Sequence, residues 1–218
     1  MSIKHYKDCF TDGEKKYYID RLIKEVPWKL TEWRPGVNLP RLTFRYDRGL
    51  SVDILDDLTD ECEEMFGCTV YGLWCNYYRD GKDWTPFHQD NYGTHIITFS
   101  FGGERRFITE NIEDKKKEEY LLENGDVIYF DSEFDRNHKH SIPKTTKVVD
   151  PRVSIVMFAT RPGSKSTINN DGIGSSTTGS DGLGDSDSDS VSSDSETDEL
   201  YKQFRSLILN LAAGRGLI

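Results

Sequence analysis

The sequence predicts an α+β domain in which two amphipathic helices lead into a rolled antiparallel sheet of short strands. Three observations carry this. Up to Thr160, apolar residues recur at three- and four-residue steps only before Cys68. From Cys68 the period changes to two and stays there, broken by turn residues, as far as Thr160. Two helices followed by a run of strands pack most simply with the helices outside the sheet, and about eight short strands protect their edges as a jelly-roll or cupin-like double sheet.

The first helix starts at Thr11-Asp12-Gly13-Glu14, where a Thr hydroxyl and a Glu three residues on have capping-box spacing. Tyr17/Tyr18, Arg21/Leu22 and Val26 make its stripe, and Pro27 closes it. The stretch Trp28–Gly49 is too polar and broken for a helix, and its Leu39–Asp47 run suits a short strand or hairpin arm. A second helix spans about Ser51 to Phe66, with Ile54, Leu55, Leu58, Cys62 and Met65 on one face and Asp and Glu on the other. Cys68–Tyr78 reads as a strand and Arg79–Asp83 as a turn. Thr94–Gly103 is a strand with Arg105–Ile112 as its expected hairpin partner, and the charged run Glu113–Glu119 is an exposed loop. Asn124-Gly125-Asp126 turns into the strand Val127–Phe130, and Arg152–Thr160 is the last strand.

Beyond this the composition shifts. The chain has 218 residues, 35% hydrophobic content and a formal charge of −10. Gly163–Glu199 is dominated by Ser, Asp, Gly and Thr and has no aromatic residue, so it cannot bury enough apolar surface to offset chain entropy. The expected organisation is a folded domain over 1–162, a disordered acidic linker over 163–196 and an amphipathic helix over 197–214. Leu200, Phe204, Leu207/Ile208 and Leu211 share that helix's face, which could dock on its own domain or on a protein partner. The tail from Gly163 holds four Lys/Arg against nine Asp/Glu, so half the negative charge lies there. A whole-domain basic field is absent, although a local basic patch is not excluded. Cys9, Cys62, Cys68 and Cys75 have neither C-x-x-C nor zinc spacing and read as buried thiols. No stretch approaches 18 apolar residues, so a soluble intracellular chain with no membrane span is expected, and a monomer.

Chemistry gathers at Phe87-His88-Gln89-Asp90. A His and an Asp two residues apart on a strand share one face, as two ligands of a 2-His-1-carboxylate iron site would. A distal His must return, and both His138 and His140 follow the Asp126 strand; spacing alone does not choose between them. Arg152 opens an otherwise apolar strand, where it is costly unless it meets an anion or a structural carboxylate.

Asn76-Tyr77-Tyr78, His88-x-Asp90, Ile97–Phe107, Asn124–Phe130, His140–Pro143 and Pro151–Phe158 occur in the order and spacing of the AlkB family, which the chain resembles from about Leu39 to Thr160. The family consists of Fe(II)/2-oxoglutarate dioxygenases that remove alkyl groups from nucleic-acid bases, a DNA-repair chemistry. The resemblance implies a double-stranded β-helix, Fe(II), 2-oxoglutarate and O2, and a partner with N-alkylated bases, DNA or RNA. It implies iron ligation by His88, Asp90 and His140, with Asn76, Tyr78 and Arg152 on the cosubstrate. It also likens Leu39–Asp47 to the family's substrate lid, so that Arg41 and Tyr46 would approach the nucleotide. Two departures stand out. The family's second cosubstrate arginine is Phe158 here, and Arg161, nine residues from Arg152, would face away; the keto-acid end must then rely on iron, Asn76 and another cation. Where several members carry a base-contacting carboxylate this chain has Tyr92, which can stack on a base.

Overall fold

Thr11 does cap the first helix. In the computed structural model, which describes residues 3–46, 52–90 and 95–160, its hydroxyl accepts from the Glu14 N–H and the Glu14 carboxylate accepts from the Thr11 N–H at 2.8 Å. The elements in order are β1 (Lys4–Tyr6), α1 (Asp12–Glu25), β2 (Lys29–Arg34), β3 (Val37–Tyr46), α2 (Asp53–Phe66), β4 (Thr69–Tyr78) and β5 (Thr85–His88). There follow β6 (His95–Gly102), β7 (Arg105–Asn111), β8 (Lys117–Leu122), β9 (Asp126–Asp131), α3 (Ser132–Asn137), β10 (His138–Ile142) and β11 (Arg152–Thr160).

Two antiparallel sheets face each other as a double-stranded β-helix. The larger runs β1-β9-β6-β11-β4-β3-β2 and the smaller β5-β10-β7-β8. Strand alternation gives the large sheet two different faces. One carries Leu73, Cys75, Ile97, Phe99, Phe101, Val153, Ile155 and Met157 under α1 and α2. The other meets the small sheet through Tyr78, Ile96, Ile128, Phe130 and Phe158, packed with Phe107, Leu122 and Ile142. All four cysteines are buried free thiols, as expected.

Two expectations are corrected, and one is sharpened. Strand β7 is not the hairpin partner of β6. Both edges of β6 are already bonded, to β9 and β11, so the chain must leave the sheet. It does so at Gly102, which has φ +93° and where an added Cβ would lie 2.2 Å from the Pro151 carbonyl. The expected hairpin arm is strand β3, and the whole stretch after Trp28 joins it as an ordered hairpin, β2–β3, turning at Gly36 with φ +77°. Lys117–Glu119 opens strand β8 instead of lying in a loop; as the sheet's edge, it keeps a charged row toward solvent. The linker and last helix lie outside the described residues.

Candidate metal and anion site

The small sheet brings the two ends of the histidine set together. Strand β5 ends at His88, and antiparallel pairing with β10 puts His140 directly opposite it. His88 Nδ1 lies 3.0 Å from the Pro86 carbonyl and 3.1 Å from that of His140. Carbonyls only accept, so Nδ1 carries the proton and the lone pair is on Nε2. That Nε2 is 3.4 Å from one Asp90 oxygen, and His140 Nε2 is 3.6 Å from the other. The three candidate ligand atoms all lie within 4.8 Å of one another. Ligands about 2.1 Å from a common ion and at right angles to each other sit roughly 3 Å apart, so this set fits a metal better than a hydrogen-bonded triad.

Protonation favours the same use at His140 and Asp90. Burial pushes His140 down to about 4, against the pull of Asp90, so its ring is unprotonated at neutral pH. Burial pushes Asp90 up, but His140, His88 and Arg41 outweigh it and hold the carboxylate below its ordinary value. Burial lowers His88 as well, and the adjacent Asp90 more than reverses this.

His138, which spacing could not separate from His140, is engaged elsewhere. Its ring stacks on Phe134 at 4.0 Å and its Nδ1 meets the Phe134 carbonyl at 3.0 Å. His140 instead stacks on Phe107 at 5.2 Å, inside the barrel. Helix α3, which the sequence reading did not foresee, braces the ligand segment. Gln89 donates to the Asp135 carbonyl at 2.7 Å, and the Asp90 N–H donates to the Asp135 carboxylate at 3.2 Å. That carboxylate is also 4.0 Å from His140 Nδ1. Asp135 was missed because its contacts to Gln89 and Asp90 span more than forty residues of sequence, and its burial is a tertiary property.

The inner face of the large sheet carries the polar set. Register puts Arg152 opposite Tyr78 and Ser154 opposite Asn76. Arg152 is 1% exposed, and burial pushes it down to about 10. Its Nε donates to the Ser100 hydroxyl at 2.9 Å, and its guanidinium lies 5.3 Å from the Tyr78 ring centre. Its buried Nη1 has no hydrogen-bond partner. Among the described residues Arg152 forms no ion pair, so the structural salt bridge that the sequence left open is not made there, and one buried N–H is unpaired. Arg105, also 5.3 Å from the Tyr78 ring centre, differs: its N–H groups reach the carbonyls of Asp80, Asp83 and Pro143. Asn76 accepts from Arg41 Nε at 2.6 Å and from Trp74 Nε1 at 3.1 Å, so its amide NH2 is what it can offer a ligand. Phe158 sits where the second arginine was missed, among Ile96 and Phe130.

The expected nucleotide contacts fare differently. Tyr46 is 0% exposed and bonds Asp56 on the helix-covered face, opposite to Asn76. The expectation that it meets a base is corrected: Arg41 and Tyr46 are five residues apart on one strand, which alone puts them on opposite faces. Arg41 is buried beside Asn76 instead of standing at the surface. Tyr92 lies outside the described residues. The exposed apolar groups of the hairpin are Leu30, Val37 and Trp33, the last 58% exposed with the Arg34 guanidinium 3.8 Å from its ring centre.

No family model matches the chain. It is similar to an uncharacterized protein of Acanthamoeba polyphaga mimivirus, 31% identical over 103 residues, covering 45% of this chain and 54% of that one. It is also similar to the alpha-ketoglutarate-dependent dioxygenase alkB homolog 3 of Rattus norvegicus, 31% identical over 140 residues, covering 53% of this chain and 44% of the relative. The chain spans about half the length of these curated relatives. Among solved structures it resembles OsALKBH1, with a TM-score of 0.50 and 15% identity over 72% of this chain and 97% of that one. A 2OG-Fe(II) oxygenase family oxidoreductase from Burkholderia pseudomallei gives 0.51 and 16%, over 72% and 84%. These two likenesses speak to the fold.

Proposed function

We propose, from the premise that this chain is an AlkB-like Fe(II)/2-oxoglutarate dioxygenase, that it oxidatively removes N-alkyl groups from nucleic-acid bases. The observation that carries the reading is the pairing of two needs in one barrel. A convergent His-Asp-His set suits a divalent metal, and a buried arginine with an orphan N–H suits an anion. His88, Asp90 and His140 would hold the iron, through the two imidazole Nε2 atoms and a carboxylate oxygen. Arg152 and Tyr78 would hold the distal carboxylate of 2-oxoglutarate, and Asn76 would donate to its other end. When bound, iron, 2-oxoglutarate and O2 supply an oxidation that yields succinate and CO2 and releases an N-methyl carbon as formaldehyde.

The chain's own part is placement. The rings of Phe107 and Phe130 flank His140 and keep water from its face. The Pro86 and His140 carbonyls hold His88 in the tautomer that binds. Asp135 fixes the backbone of Asp90, so the carboxylate meets the metal with little reorganisation. The β2–β3 hairpin supplies a base-stacking surface, with Trp33 and Arg34 at its exposed end. A base must arrive single-stranded or be flipped out.

The test is incubation with Fe(II), 2-oxoglutarate and methylated single-stranded DNA or RNA. Formaldehyde and demethylated base are expected. A second reading, an oxygenase of the same fold acting on a protein or small molecule, is favoured by the net charge of −10. It would turn over 2-oxoglutarate only with such acceptors. A chain that binds no metal would be a non-catalytic binding module.

A further inference from the structure

Besides Arg152 and the carbonyl-bound Arg105, the barrel contains a third buried guanidinium, Arg41. Arg41 is 6% exposed, and among the described residues it forms no ion pair. Its Nε donates to Asn76 at 2.6 Å, its Nη1 reaches the Trp84 carbonyl only at 3.4 Å, and its Nη2 meets no acceptor among the described residues. A guanidinium so placed, with no carboxylate beside it among the described residues, can take up an anion. Its environment says where that anion would lie. Thr43 pairs with Asn76 in register, so Arg41, two residues before Thr43, shares the inner face with Asn76, Tyr78 and Arg152. Its charge is felt by both Asp90 and His88. Arg152 lies at the Tyr78 end of this row and Arg41 holds the Asn76 side chain. Between them the sheet offers two cations to one dicarboxylate.

We propose that Arg41 is the second arginine of the cosubstrate site: it binds the keto-acid carboxylate of 2-oxoglutarate, the task for which β11 offers only Phe158. This rests on the reading above. The guanidinium keeps Asn76 oriented through Nε while Nη2 meets the carboxylate, a division of labour that a planar fork allows and an ammonium does not. It follows that Arg41 is a cosubstrate residue rather than a nucleotide contact.

The test uses the full chain loaded with Mn(II) and measures three affinities by calorimetry: Mn(II), 2-oxoglutarate and a methylated single-stranded oligonucleotide. Arg41→Met should weaken 2-oxoglutarate by about 10- to 100-fold, the scale of one charge-assisted hydrogen bond, and leave Mn(II) within about twofold. An unchanged 2-oxoglutarate affinity overturns the proposal, and a fall confined to the oligonucleotide returns Arg41 to the nucleotide. If Arg41→Met does not fold, Arg41→Lys decides, with a loss of at least about threefold expected and none overturning the assignment. Wild-type protein that binds Mn(II) but no 2-oxoglutarate would defeat the functional reading itself, a different result from any variant effect.

Discussion

A guanidinium stripped of water and left without a carboxylate costs on the order of several kcal/mol, and Arg152 is in that position with an N–H unused. Arg152→Met removes the charge while nearly keeping the volume. Ligand-free variant should therefore melt at or above the wild-type temperature. Mn(II)-loaded wild type should gain about 2.7 kcal/mol at roughly a hundredfold excess of 2-oxoglutarate over Kd, or roughly 5–11 °C, and the variant should lose that rise. Scanning fluorimetry with and without 2-oxoglutarate measures both; a retained rise would put the anion elsewhere. The same scale separates the two histidines. His140→Ala should weaken Mn(II) by more than about 100-fold, beyond what loss of a bracing partner does, whereas His138→Ala should leave it within about threefold. Equal losses would mean that the wrong imidazole has been assigned. Residues of this kind were legible in the sequence to differing degrees. The His88–Asp90 pair showed through strand alternation, and Arg152 through being a lone charge in an apolar strand. The choice of His140 came only from resemblance, because His138 and His140 share parity and the stacking on Phe134 that separates them is tertiary.

Elements were legible where their signal is local. The capping box at Thr11 and the period change at Cys68 depend on neighbours in sequence. The path of β7 does not: it follows from both edges of β6 being taken, by strands far along the chain. Strand β1 shows how such long-range pairing is secured. It pairs with β9, where His5 reaches the buried Asp126 carboxylate at 2.8 Å. The N–H groups of Asp8 and Glu123 donate to that carboxylate at 3.0 Å. Burial raises Asp126, but these hydrogen bonds outweigh it and hold the group below its ordinary value. The folded state then binds fewer protons than the unfolded chain, so this stabilisation is complete above the ordinary carboxylate value and is lost as pH falls from there through the lower folded value. Asp126→Asn should cost about 2 kcal/mol near neutrality, roughly 4–8 °C, and the gap to wild type should shrink below about pH 4. A gap independent of pH would show that packing, not charge, secures β1. The hairpin makes the opposite case, an element whose exposed side chains do little for stability. Trp33→Ala should leave the melting temperature within about 1 °C, since surface changes rarely exceed about 0.5 kcal/mol. It should weaken single-stranded oligonucleotide binding by about 5- to 150-fold, the scale of one base stack. Fluorescence titration reads the effect, and unchanged affinity would remove the hairpin from the interface.

At the scale of the whole molecule, one sheet serves two cores. Its helix-covered face is apolar throughout the centre, which fixes strand register, because a slip by one residue would exchange Cys75 and Ile155 for Asn76 and Ser154. Register in turn sets the polar row on the inner face, so the packing under α1 and α2 is what lines up Arg41, Asn76, Tyr78 and Arg152. Both cores and every described site residue lie between Ile3 and Thr160. A chain ending at Pro162 should therefore melt cooperatively within about 2 °C of the full protein and keep its Mn(II) and 2-oxoglutarate affinities within about twofold. Its affinity for an oligonucleotide should change instead. The removed segment holds nine acidic against four basic residues, and this excess repels a phosphate backbone. Binding should tighten on truncation at low ionic strength, and the difference should vanish once salt near 1 M shortens the screening length to about 3 Å. Calorimetry on both lengths of chain at two salt concentrations decides it. Loss of metal or 2-oxoglutarate binding on truncation would mean that the segment after Pro162 completes the site, and a salt-independent loss of oligonucleotide binding would give the last helix a direct contact with the strand.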